Sequence, residues 1–122
     1  MNWSAAGAVT LALGVILGAF GAHGLRGRLD AYLMGIYEKA VLYHFLHGLG
    51  ILMVSLLPKT GAISQPQADW VCGLLLGGIV VFSGSLYALA ITGNRVLGAV
   101  TPVGGVAFIA GWCMLAWMLI RK

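Results

Sequence analysis

Residues 70–92 read WVCGLLLGGIVVFSGSLYALAIT, a run without a single Asp, Glu, Lys or Arg. An α-helix rises about 1.5 Å per residue and the hydrocarbon core of a bilayer is about 30 Å thick, so about 20 such residues cross it. Working outward, three further stretches qualify, running from Trp3 to Leu25, from Ala40 to Leu57 and from Leu97 to Ile120. The expected fold is an all-α membrane protein with four transmembrane helices in an antiparallel bundle, a single domain spanning residues 1–122.

Composition points the same way. Hydrophobic residues make up 61% of the chain and charged residues 8%, with a mean hydropathy of +0.99. A water-soluble domain carries about a quarter charged residues, because its surface must stay wet. The net charge of +4 comes from basic residues scattered at segment ends. That pattern suits anchors at the bilayer surface and excludes nucleic acid, which needs a basic face. Cys72 and Cys113 sit inside apolar runs with no C-x-x-C spacing, and read as small packing residues. The first span could be mistaken for a secretory signal. No Lys or Arg precedes it and its apolar run is too long, so it is expected to stay in the mature chain.

The connections are short. Pro58 and Pro66 flank a polar loop, and Gly93 to Val96 forms a tighter one. Before the second span, Leu29, Tyr32, Leu33 and Ile36 recur at helical spacing, with Asp30 placed to cap them. This predicts a short interfacial helical segment leading into the second helix. Arg26 and Arg28 follow a first span that no basic residue precedes. The positive-inside tendency then puts that connection in the cytoplasm and both termini outside, although Arg121 and Lys122 argue the other way. The expected location is the bacterial inner membrane, multi-pass.

Alternating the four spans gathers His23, Tyr37, Glu38, His44, His47, Ser83, Ser85, Tyr87 and Thr101 toward one half of the bilayer. Polar and ionisable groups are costly there and mark a site or pathway by default, so these residues form a candidate polar pocket. His44 and His47 are neighbours at i, i+3, and the partners expected for His44 are Tyr87, Ser83 or Ser85 on the third helix and Thr101 on the fourth. No metal site is expected, because no thiolate cluster, H-E-x-x-H motif or second acidic ligand accompanies the histidines. No cofactor is expected; for haem, His23 and His44 on different helices would be the axial pair, but nothing in the sequence requires it. Glu38 adjoins Lys39 and reads as half of an interfacial ion pair. No catalytic residue is assigned, since a Ser–His pair lacks a third orienting group.

Small residues recur as stripes: Gly7, Gly14, Gly18 and Gly21 in the first helix, Gly73, Gly77 and Gly84 in the third, and Gly104 and Gly111 in the fourth. These are the expected contacts for close helix packing. The fourth helix opens with Thr101, Pro102, Val103, Gly104, Gly105. With Asn94 and Arg95, that opening is expected to face the histidines, where a small anion or a polar headgroup would fit.

Four ordered motifs remain: GAFGAHGL from Gly18, KAVLYHFLHGL from Lys39, FSGSLYAL from Phe82, and TPVGG from Thr101 followed by Gly111 and Trp112. On these, over nearly the whole chain, the protein resembles the YgdD-like family of small inner-membrane proteins of unknown function. The resemblance implies a four-helix membrane protein and brings no activity with it. Small multidrug exporters are similar in size but depend on a glutamate within their first helix, which is absent here.

The leading functional expectation is a non-enzymatic accessory or scaffold protein with a polar His/Tyr pocket. A small transporter or proton conductor using the intrabilayer histidines is the alternative, and a haem- or quinone-binding protein a further one. The partners expected are membrane lipid and either another membrane protein or a second copy of this chain.

Overall fold

The computed structural model describes residues 1–121 and contains four helices long and apolar enough to span a membrane. They are α1 (Trp3–Leu25), α2 (Ala31–Thr60), α3 (Gln65–Thr92) and α4 (Arg95–Ile120). No strand is present among the described residues; the one isolated bridge joins Arg26 and Leu29 in the first connection. Lys122, invoked above for orientation, lies outside the described residues.

Each helix begins where a polar side chain satisfies an amide that has no intrahelical partner. The Asn2 side chain accepts from the Ala5 amide at 3.1 Å and Asp30 from the Leu33 amide at 2.8 Å. Ser64 and Gln67 form a reciprocal capping box with Pro66 in the first turn. Asn94 accepts from the Val96 amide and opens a short 3₁₀ turn, Arg95–Ala99. Gly61 (φ +79°) and Gly93 (φ +73°) end α2 and α3 in the left-handed conformation that glycine adopts without strain.

The helical segment expected to lead into the second helix does so without a break, capped by Asp30. Its residues form the first turns of the 30-residue α2, which at about 45 Å is longer than the hydrocarbon core is thick. The last turn of α2 likewise includes Pro58, expected in the loop. Polar end turns escape a hydropathy reading because they extend a helix beyond the apolar layer.

The helices do not contribute equally to the interior. A core of Ile51, Val54, Ala68, Val71, Cys72, Leu75 and Ile79 joins α2 to α3, with Phe108 of α4 added to it. α1 packs chiefly on α2, and α4 chiefly on α3. In α1 and α4 few residues besides glycines are buried: Gly7, Thr10, Gly14, Gly21 and Leu25 in the first, and Gly104, Phe108 and Gly111 in the second. Their remaining surface is apolar and outward-facing, as a hydrocarbon solvent allows.

Two π-turns interrupt the α-helical period, Gly21–Leu25 in α1 and Ile79–Ser83 in α3. A turn holding one extra residue rotates everything beyond it by about 100° relative to a straight α-helix. The glycine stripe expected to pack in α3 does not pack. Gly73 and Gly77 face outward and, like Gly84, have open space where a Cβ would stand. Beyond the π-turn, Tyr87 faces inward. The close contact in α3 belongs to Gly78, against Phe108. In the other helices, Gly14 meets Phe45 and His44, Gly18 meets Val41, Gly21 meets Tyr37, Gly104 meets the Phe82 backbone and Gly111 meets Leu75.

The cysteines differ in environment. Cys72 is buried with its thiol 3.7 Å from the Ile51 carbonyl, whereas Cys113 is exposed on α4. A membrane-permeant maleimide is expected to modify Cys113 in the detergent-solubilised protein and to reach Cys72 only after denaturation. Mass spectrometry of the labelled chain checks this, and rapid labelling of Cys72 in the folded protein would contradict the helix assignment.

Candidate functional site

His44 lies near the middle of α2, buried where α1 and α3 meet it. Its Nε2 is 2.8 Å from the Thr10 carbonyl of α1, and its Nδ1 is 2.9 Å from the Tyr87 hydroxyl of α3. A carbonyl only accepts, so Nε2 carries a hydrogen and donates to Thr10. In the neutral ring Nδ1 is then the acceptor, and Tyr87 donates to it. One imidazole thereby ties three helices together.

About two helical turns from His44, buried Tyr37 packs its ring 5.2 Å from that of Tyr87 and donates its hydroxyl to the Leu17 carbonyl of α1. Only a glycine at position 21 leaves room for this ring, since a Cβ there would collide with it. Also between α2 and α3, Ser83 within the π-turn donates to the Ala40 carbonyl at 2.8 Å. Ser85 is 2.6 Å from the Thr101 hydroxyl of α4 and donates to the Phe82 carbonyl at 2.9 Å.

The two histidines of α2 diverge. His47 Nδ1 donates to the Tyr43 carbonyl of its own helix at 2.9 Å, and the ring stacks on Phe108 at a centroid distance of 3.5 Å. Tyr43 and Trp112 complete an aromatic surround toward α4. The residues expected to form one pocket therefore divide into a His44–Tyr87–Tyr37 group facing α1, a His47 group facing α4, and two serine contacts.

Two expected members lie elsewhere. His23 is exposed on the π-turn at the end of α1. It lies thirteen residues along that helix from Thr10, the residue bonded to His44, a distance of about 20 Å. No single haem iron spans that gap, so the axial pair does not form. Glu38 is exposed and lines a groove of about 190 Å³ between α1 and α2 with Arg26 and Tyr37. Lys39 lines a different groove, toward α3 and α4, so the two neighbours are directed to opposite sides of α2. The opening of α4 meets Ser85 through Thr101 and Tyr32 through Arg95, rather than the histidines.

Sequence reasoning missed five contacts. The Thr10 and Leu17 carbonyls carry no sequence signal, because every residue has one. At the opposite end of the bundle Ser4 and Ser55 hydroxyls meet at 2.9 Å, and Trp3 and Gln65 both donate to Asp69, at 3.0 and 2.9 Å. The position of Trp3, Ser4, Ser55 and Asp69 at the same bilayer face was the available clue. Among the described residues no buried side-chain nitrogen or oxygen lacks a hydrogen-bond partner.

Comparison with known proteins adds a relationship. Residues 17–105 match the family described as "Protein of unknown function (DUF423)". A UPF0382 membrane protein of Staphylococcus epidermidis is 52% identical over 109 residues, covering 89% of this chain and 87% of that one. The UPF0382 membrane protein YwdK of Bacillus subtilis is 46% identical over 117 residues, covering 94% and 93%. A third, from Staphylococcus haemolyticus, is 50% identical over 109 residues, covering 89% and 87%. No solved structure matches the chain.

Proposed function

This chain belongs to the DUF423 family of proteins of unknown function, its relatives being UPF0382 membrane proteins, and we propose that it is a non-enzymatic accessory or scaffold protein of the bacterial inner membrane. On this reading its polar residues lock the helices together rather than process a ligand. The observation that carries the reading is the bonding of His44, whose two ring nitrogens are both engaged by α1 and α3. A satisfied buried polar group specifies and rigidifies a packing arrangement, whereas a ligand or proton site keeps a nitrogen available. The four sequence motifs also favour a place among the YgdD-like members.

Proton conduction is the runner-up, because polar side chains run from the Glu38 groove inward to His44 at mid-depth. Its weakness is the Tyr37 hydroxyl, which ends on the Leu17 carbonyl. A carbonyl has no proton to pass on. Proteoliposomes with an internal pH dye and an imposed potassium diffusion potential separate the two readings. Flux equal to that of empty vesicles is expected, for wild type and His44→Gln alike. Proton flux that His44→Gln abolishes would sink the scaffold reading.

We also favour both termini outside, on the strength of Arg26 and Arg28 after the first span. A C-terminal reporter active only in the cytoplasm should then be silent, and an active one would reverse the assignment.

A further inference from the structure

We propose that the groove between α2, α3 and the opening of α4 holds an anionic glycerophospholipid, with its phosphate between Lys39 and Arg95 and one acyl chain along the apolar floor. The groove has a volume of about 380 Å³, and its lining includes Tyr32, Ile36, Lys39, Phe82, Leu86 and Pro102. No carboxylate is among the residues that line it. The Arg95 guanidinium lies 4.7 Å above the Tyr32 ring, which holds this cation at the rim. Lys39 stands two turns inside α2, where its long apolar stem can lie over the groove while the ammonium reaches the headgroup level.

Charge complementarity identifies the occupant. The two acids on this side of the bundle are directed elsewhere: Asp30 caps α2 through the Leu33 amide, and Glu38 lines the opposite groove with Arg26. Lys39 and Arg95 thus offer positive charge to a ligand from outside. Below them the hydroxyls of Ser85 and Thr101 bond to each other, so the floor between α3 and α4 presents apolar surface. An anionic head above an apolar tail matches that order of surfaces. A second copy of the same groove would bring like charges together.

The test is lipid retention by the purified full chain in detergent, read by native mass spectrometry. Phosphatidylglycerol and phosphatidylcholine of identical acyl chains are offered at equal concentration, with glycerol 3-phosphate as a tail-free competitor. Phosphatidylglycerol should be retained preferentially. Lys39→Gln and Arg95→Gln should each reduce the preference about fivefold and the double variant roughly 25-fold, taking about 1 kcal/mol per basic residue. Lys59→Gln, at the other end of the bundle, should leave it unchanged. Ile36→Trp, which fills the groove and keeps both cations, should lower phosphatidylglycerol retention as well. Equal retention of the two lipids would overturn the proposal, as would a double variant indistinguishable from Lys59→Gln. Displacement by glycerol 3-phosphate at the lipid's own concentration would overturn it too, because the tail would then contribute nothing.

Discussion

Replacing Gly104 with alanine is expected to destabilise the protein more than any other glycine-to-alanine change, by about 3 kcal/mol or more. The added Cβ would stand 2.7 Å from the Phe82 Cα and closer still to its amide nitrogen. A side chain in that position could rotate away, but backbone within α3 cannot. Relief requires α4 to move outward, and that movement also weakens the Phe108 stack on His47 and the contact of Gly111 with Leu75. Gly7→Ala should act in the same direction on α1, where the Leu52 amide nitrogen is 2.9 Å away. Gly73→Ala and Gly77→Ala face open space and should leave stability unchanged or raise it by up to about 1 kcal/mol through helix propensity. Thermal melting of the four variants in one detergent measures the order. A Gly104→Ala protein as stable as Gly73→Ala would mean that α4 does not approach α3 as described.

His44→Leu is expected to cost about 1–3 kcal/mol, because it leaves the half-buried Tyr87 hydroxyl without its acceptor and removes the bond to the Thr10 carbonyl. His44→Gln keeps an amide that can serve one of those partners, and should lose less than about half as much. Hydrogen bonds between membrane helices average about 0.6 kcal/mol in double-mutant cycles, which puts the lower part of the range for His44→Leu within reach. Tyr87→Phe removes the same bond from the other side. The double variant His44→Leu, Tyr87→Phe should therefore lose less than the sum of the two single losses, since neither partner is left stranded. Strict additivity across that cycle would show that the two side chains do not share a bond.

Much of the candidate site was readable from chemistry-bearing residue types. Intrabilayer histidines are expensive enough to demand a partner, and Tyr87 on α3 lies in the half of the bilayer where His44 was expected to find one. The division between His44 and His47 was not readable. Positions i and i+3 differ by about 60° around a helix, so one face can serve α1 and α3 while its edge serves α4. His23 misled because depth along the sequence said nothing about which way its side chain points on a π-turn. The α3 glycines misled for a related reason. Gly73 and Gly77 do share one face, but in lipid nothing obliges a small-residue face to turn inward, and the turn at Ile79–Ser83 breaks the 100° period that tied them to Gly84.

The sequence by itself determined that the chain crosses a membrane four times, and nearly where each crossing lies. Every backbone amide must be bonded within its own segment when hydrocarbon is the solvent, so an uncharged run of sufficient length has one available structure. Which face of each helix turns inward was decided only by the tertiary structure. In water an apolar stripe marks that face, but α1 and α4 are apolar all round, and lipid accepts any of their sides. The choice falls to close contacts at particular points: Gly104 under Phe82, Gly21 under Tyr37, and His44 between Thr10 and Tyr87. Those contacts join residues distant in the chain, and their energy exists only once the helices have come together.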